Sequence, residues 1–338
     1  MGTYKTLEEK SKDYQLTIVD NLNQLQDLVE NLSSFDSYRF RGVCQSKYHM
    51  LTSLQRLAPN GISDKKYMRG LLEKVKNDEM VRDFFSCNKI AINDLSCVSL
   101  MQHLGLPTPL LDFTTSVKVA LAFASDGADR VDGTDETDGY CSLYYFDLNA
   151  EYEINYNVQM ALGTGIDDGI KLCQDYYNKN PKSPIDDSVL REIDKYVRWN
   201  QLDALEIAFI EYQNSAPQVS TLDSQILDLT NPNLSKQKGG FAINLYDDNI
   251  PFEENWNMRT KKRRDELAMH MLSGTHPFSG IYTQDQMVCI DIKKDVILEW
   301  NSRNPIQLYD NSPQIKHLKN HMFDIKKEYD TNLCINSI

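Results

Sequence analysis

Apolar residues recur along this chain in two rhythms, and the changes of rhythm mark its elements. Leu16 to Val19 reads as a short strand. Leu22, Leu25, Leu28, Val29 and Leu32 then repeat at helical spacing behind Asp20 or Asn21, either of which can cap a helix. Tyr38, Phe40 and the positions after Arg41 predict a strand that stops at Gly42. Lys65 to Cys87 predicts one long amphipathic helix, with Tyr67, Leu71, Val75, Met80, Phe84 and Phe85 on its apolar face. Tyr140 to Asp147, Phe241 to Leu245 and Met287 to Ile292 read as strands, and Leu308 to Asp324 ends in a helix. Residues 1–15 are polar and read as loose, Asp126 to Gly139 as an acidic solvated loop, and residues 157–214 as a helical insertion. Strands and helices interleave without the regular alternation of a doubly wound sheet. The pattern therefore predicts α+β architecture: an extension over 1–34 with a strand and a helix, a domain over 35–310 carrying the insertion, and a C-terminal helix and tail over 311–338.

The stretch from Met101 to Ala124, MQHLGLPTPLLDFTTSVKVALAFA, departs from this packing logic. A Gln-His pair enters a Gly-Leu-Pro-Thr turn, an apolar run ends at Asp112, and Thr114, Thr115 and Ser116 precede a small apolar helix. Packing alone does not require His103, Asp112 and a run of hydroxyls at one turn, so the segment reads as a ligand-binding corner between a strand and a helix. Asp112 can instead cap the following helix or accept main-chain N–H groups, and His103 can be a satisfied core imidazole.

A formal net charge of −13 disfavours non-specific adsorption to nucleic acid or anionic lipid. No stretch reaches membrane-spanning length, and Met1 to Asp20 lacks the apolar core of a secretion signal, so a cytoplasmic protein without membrane partners is expected. The seven cysteines are scattered, with no Cys-x-x-Cys pair, and read as reduced thiols.

The chain has no Gly-x-Gly-x-x-Gly after a strand, no phosphate-binding Gly-x-x-x-x-Gly-Lys-Ser loop and no His-Glu-x-x-His. His317 and His321 share a helix face without a third ligand nearby, so no metal is expected. Arg259, Lys261, Lys262, Arg263 and Arg264 form a basic run that reads as an exposed helix start, partly neutralised by Asp265 and Glu266. Its alternative is a contact to an RNA backbone. Phe40-Arg41-Gly42 places a planar guanidinium at a strand end, suited to a phosphate or carboxylate, beside a glycine that lets a ligand or backbone approach closely. Arg41 can equally pair with Asp112.

Phe40-Arg41-Gly42, Leu51-Thr52-Ser53-Leu54-Gln55-Arg56 and Gln102-His103-x-Gly105-Leu106-Pro107-Thr108-x-Leu110-Leu111-Asp112-Phe113-Thr114 together resemble the FRG domain family. The resemblance continues through Ala120-x-x-Phe123-Ala124, a late element from Asn231 to Phe241 and a closing segment from Ile290 to Leu308. It departs at Pro109, where the family has an arginine, and near Asn233, where the family often has one. A second similarity links Asp112 to Ala124 with the hydroxyl strand and following helix of ADP-ribosyltransferases. That resemblance implies a split mixed β-sheet with NAD, as substrate, in the cleft between its halves. It assigns Arg41 and Gly42, with Thr114, Thr115 and Ser116, to cofactor binding. It assigns His103, Asp112 and Gln237 to the reacting ribose.

The late position that would carry a glutamate in a transferase is Gln237, which accepts hydrogen bonds but is no general base. Transfer would then fall to His103, Asp112 or another carboxylate such as Glu211. The resemblance implies an NAD-dependent ADP-ribosyltransferase-like toxin or phage-defence effector. Its acceptor would be protein or RNA, and a toxin-antitoxin arrangement would supply a neutralising antitoxin protein. The other reading is a non-catalytic nucleotide- or nucleic-acid-binding FRG module. A nuclease using His103 and Asp112 is a third.

Overall fold

The computed structural model describes residues 3–35, 37–58, 62–88, 92, 94–129, 133–147, 178–179, 207–211, 237–244, 250–258, 287–308 and 316–335. Strands β1 (Gln15–Val19), β2 (Tyr38–Val43), β3 (Leu110–Thr114), β4 (Tyr140–Asp147), β5 (Ile207–Glu211), β6 (Gly239–Asn244) and β7 (Val288–Lys293) form one seven-stranded sheet. Their order is β1-β7-β4-β2-β3-β6-β5. β1 runs parallel to β7, and every other neighbouring pair is antiparallel. The sheet is therefore mixed.

The ladder between β2 and β3 is a single register pair, Phe40 opposite Thr114. By contrast, all of β2 pairs with β4 and all of β3 pairs with β6. The sheet is continuous in order but forked at its middle.

Helices α1 (Leu7–Lys10), α2 (Leu22–Leu32), α3 (Ser53–Leu57), α4 (Asp64–Asn77), α5 (Glu79–Cys87), α6 (Asp94–Leu104), α7 (Val117–Ser125), α8 (252–258), α9 (Lys294–Arg303) and α10 (Lys316–Ile335) surround it. Leu25 of α2, Ala120 and Leu121 of α7 and Ile297 of α9 bury Phe40, Leu143 and Ile290 in one core. A second core sets Leu71, Phe85, Met101 and Leu318 from α4, α5, α6 and α10 against Leu110, Phe241 and Ile243. A third, mostly aromatic core bridges the fork: Phe113 packs on Phe146 at a centroid distance of 5.3 Å, and Phe146 on Trp256 of α8 at 4.6 Å.

Local chemistry explains most boundaries. Asn21 accepts from the N–H of Gln24 and caps α2 as expected. α6 ends in two reversed hydrogen bonds, Leu106 N–H to Met101 O and Gly105 N–H to Gln102 O. Gly105, at φ +82°, supplies the left-handed residue this ending needs.

Three expectations change. The strand expected to stop at Gly42 runs through it to Val43. The single helix over 65–87 is two, broken at Asp78, whose carboxylate caps α5 through the N–H of Val81. The apolar period continues across that break, which hid it. The end of the expected helical insertion, 207–211, is strand β5 on the sheet edge. The rest of 157–214, apart from helical residues 178–179, lies outside the described residues, as does the basic run at 259–264.

The N-terminal segment is also ordered, against expectation. Its Lys10 is fully buried, and its Nζ lies 2.7 Å from each of Ser46 Oγ, Ser142 Oγ and Asp291 Oδ1. A buried ammonium needs such a set of acceptors, and a polar sequence does not reveal them. Among the described residues no helix is long and apolar enough to cross a membrane. Cys44, Cys87, Cys97, Cys141 and Cys289 are free thiols.

Candidate functional site

The fork opens from the Phe40–Thr114 pair toward the far end of β2, and a pocket of about 210 Å³ lies there. β2 contributes Phe40, Arg41 and Gly42, and β3 contributes Asp112, Phe113 and Thr114. Phe123 of α7 and Gln237 with Gly239, at the start of β6, complete the described wall.

Arg41 spans the fork. Its Nη1 donates to the main-chain carbonyl of Asp112 at 2.7 Å, so the guanidinium fills a place where a strand-to-strand hydrogen bond is missing. Its Nε is buried with no hydrogen-bond partner. Burial pulls the guanidinium's pKa below its usual value; the Asp112 carboxylate opposes that shift and the neighbouring Arg56 adds to it. Arginine stays charged regardless, so the depression reports a half-buried cation whose lost hydration its neighbours do not fully replace.

The expected ion pair between Arg41 and Asp112 does not form. The Asp112 carboxylate is exposed and accepts from Gln102 Nε2 at 2.9 Å. Gln102 is held in turn, because its Oε1 accepts from the buried Thr108 hydroxyl. The N–H of Thr108 donates to Ser53 Oγ at 2.9 Å, and its carbonyl accepts from the N–H of Leu54 at 3.0 Å. The chain Ser53–Thr108–Gln102–Asp112 thus fixes one carboxylate at the pocket edge and docks α3 beside it. Thr52 and Gln55 form a reciprocal cap on α3, and Gln55 reaches Ile250 O at 2.8 Å.

Gly42 has a packing role. A Cβ there would lie 1.7 Å from Ala120 O and 2.8 Å from Ala124 N. The close approach is that of α7.

The hydroxyl residues divide. Thr114 Oγ1 donates to Gln237 O at 2.6 Å and accepts from the N–H of Ser116 at 3.0 Å. It is buried and ties three segments together. Thr115 is exposed, joins Lys238 O through its N–H at 3.0 Å and does not line the pocket. Ser116 stands at the cap position of α7 without a side-chain capping bond and also lies outside the wall.

Gln237 lines the pocket, but its Nε2 donates to Leu308 O at 2.6 Å. Lys238 follows at φ 46°, a left-handed conformation uncommon for a side-chain-bearing residue, and turns the chain into β6. His103, on α6, is not in the pocket wall. His321 pairs with Asp78 Oδ1 at 2.9 Å, and among the described residues no cluster of His, Cys, Asp and Glu is arranged to hold a metal.

The structure therefore gathers Arg41, Gly42, Asp112, Thr114 and Gln237 at one pocket, and leaves His103, Thr115 and Ser116 outside its wall. The sequence reading missed Phe40 and Phe123 as walls and Gln102 as the holder of Asp112. The position of Gln102, directly before His103 and ahead of a Pro-Thr turn, was the available signal.

No curated protein matches the chain, and no solved structure matches it. The family model described as FRG domain matches residues 36–133, a span that holds Arg41, Gln102, Asp112 and Thr114 but not Gln237. The fork between β2 and β3 lies within this FRG-like span.

Proposed function

We propose that the forked pocket binds NAD and supports ADP-ribosyl transfer, in a protein acting as a toxin or defence effector. One observation carries this reading: Arg41 lines the pocket and keeps a buried Nε without a hydrogen-bond partner, while the pocket's edge bears the Gln102-held carboxylate of Asp112. A cation and a carboxylate kept apart on opposite strands suit a ligand with an anionic part and a part that becomes positive.

Pockets for small ligands run to about 300–1,000 Å³. At about 210 Å³ this one takes part of a dinucleotide, with the remainder along the surface. Arg41 would hold the phosphates. In the transfer step the bond between C1′ of the ribose and the nicotinamide nitrogen breaks, and its electron pair leaves with nicotinamide. The developing oxocarbenium charge resembles that of glycoside cleavage. Asp112, the carboxylate among the described wall residues, would stabilise it and take the proton from the acceptor's nucleophile as the new bond to C1′ forms. Gln237 would stay a spectator, committed to Leu308. The acceptor is protein or RNA, and a toxin of this class requires an antitoxin in its own cell.

The second reading, a nucleotide-binding module without turnover, is favoured by the internal use of the Thr114 and Gln237 side chains. Nicotinamide release separates the two. The full chain is incubated with labelled NAD, total RNA and lysate protein, alongside Arg41→Gln and Asp112→Asn. Release abolished in both variants, with NAD binding retained in Asp112→Asn, supports the transferase. Binding without release supports the module, and absence of NAD binding ends both.

A further inference from the structure

The FRG-matched span holds a second arginine, part of the Leu51 to Arg56 motif, that has no role in the proposed reaction. Arg56 lies in the last turn of α3 and is exposed. Among the described residues its guanidinium has neither an ion pair nor a hydrogen bond. α3 is short, but it is firmly placed. Ser53 Oγ and the N–H of Leu54 both engage Thr108, and Thr108 holds Gln102, which holds Asp112.

Arg56 follows Ser53 by three positions, so the two share one side of the helix. The same hydrogen-bonded chain that fixes the pocket's carboxylate therefore fixes the base from which Arg56 projects. Arg56 is also near enough to Arg41 for the two charges to repel. Arg41 has no carboxylate within ion-pair distance among the described residues, and its buried Nε is unpartnered. The Asp112 carboxylate offsets part of the repulsion between these two like charges without bonding to Arg41, and a bound anion would offset the rest. Arginine forks also match phosphate oxygens better than lysine does.

We infer that Arg41 and Arg56 form a two-point clamp for a diphosphate, Arg41 taking one phosphoryl group inside the fork and Arg56 the next at its mouth. This deepens the nucleotide reading of the same pocket, and rests on it, by naming the ligand class as diphosphate-bearing rather than monophosphate. Arg56 is then the residue that distinguishes the two classes.

The test is calorimetric titration of the full chain with AMP, ADP and inorganic pyrophosphate, repeated on Arg56→Gln and Arg41→Gln. Arg56 is exposed, so its variant should melt with the parent, and thermal unfolding checks this. The parent should bind ADP at least about tenfold tighter than AMP. Arg56→Gln should bring ADP down to the AMP value and leave AMP unchanged, and Arg41→Gln should weaken both. An unchanged ADP-to-AMP ratio in Arg56→Gln overturns the clamp while leaving the nucleotide reading intact. Pyrophosphate binding that depends on both arginines, without AMP or ADP binding, supports the clamp and overturns the nucleotide reading. Failure of all three probes to bind overturns both.

Discussion

Arg41 and Asp112 meet through the main chain and not through their charges. The guanidinium is bonded to the Asp112 carbonyl at 2.7 Å, while the carboxylate is bonded to Gln102 at 2.9 Å. The pocket therefore keeps its cation and its anion from neutralising each other. Gln102→Ala frees the carboxylate without touching Arg41. If Asp112 serves the reaction, nicotinamide release should fall by about tenfold or more through misplacement alone, with NAD affinity unchanged. Equal losses of rate and affinity would reduce Gln102 to a purely structural residue.

Gly42→Ala should destabilise the fold by roughly 3 kcal/mol, because overpacking a tight contact is costly. The new methyl would meet Ala120 O at 1.7 Å, and that oxygen is main chain and cannot rotate away. Denaturant unfolding measures the loss. A variant as stable as the parent would show that α7 yields easily.

Lys10→Met removes the ammonium and leaves Asp291 fully buried with its partner lost. Breaking one side of a buried pair costs about 3–5 kcal/mol. Burial alone would lower the Lys10 pKa, but Cys289, Tyr144 and Asp291 hold it above the ordinary lysine value. The contribution is thus fully present below the unfolded lysine value and is lost only as pH rises through the higher folded one. The parent-minus-variant difference should not shrink from pH 6 to 9, and a decline within that window would contradict the assignment.

Asp138 makes the opposite prediction in acid. Burial by itself would raise its pKa, but the Lys47 ammonium and the N–H of Asp135, each at 2.9 Å, hold it below the usual carboxylate range. Its stabilisation is present above about pH 4, the unfolded aspartate value, and disappears as pH falls through the lowered folded value. The deficit of Asp138→Asn should therefore shrink as the pH is taken below about 4. A deficit constant down to pH 2 would show that the shift contributes nothing.

Thiol labelling reads the cores directly. Cys87 is exposed, whereas Cys97 and Cys141 are buried, and burial pushes both thiols up to about 12. In the folded protein Cys87 should react with an alkylating reagent while the other two wait for unfolding. Native-state labelling of Cys97 at the rate of Cys87 would mean that the core around α6 opens readily.

Much of this could be read from residues alone, for reasons that differ from place to place. β4 and the cap of α2 were legible because their signals are local: an aromatic run, and a polar residue before an apolar helical stripe. Arg41, Gly42 and Asp112 were legible as one corner because short motifs carry them. Gln102 and His103 were not separable, since adjacent helix residues point about 100° apart and nothing in the order says which faces the pocket. The structure gives Asp112 to Gln102. Gln237 was placed near the site, but its bond to the carbonyl of Leu308 links positions far apart in the chain, and no sequence rule supplies it. The same holds for Lys10, whose acceptors come from β4, β7 and the segment after β2.

The single Phe40–Thr114 pair also has a mechanical meaning. The two strand sets behave as leaves stitched once at the front and glued along the back by Phe113, Phe146 and Trp256. Anything seated in the notch bears on both leaves and stands in for the rungs the ladder lacks. Occupancy then acts as a fastener, and the cohesion of the sheet rises with the concentration of whatever fills it.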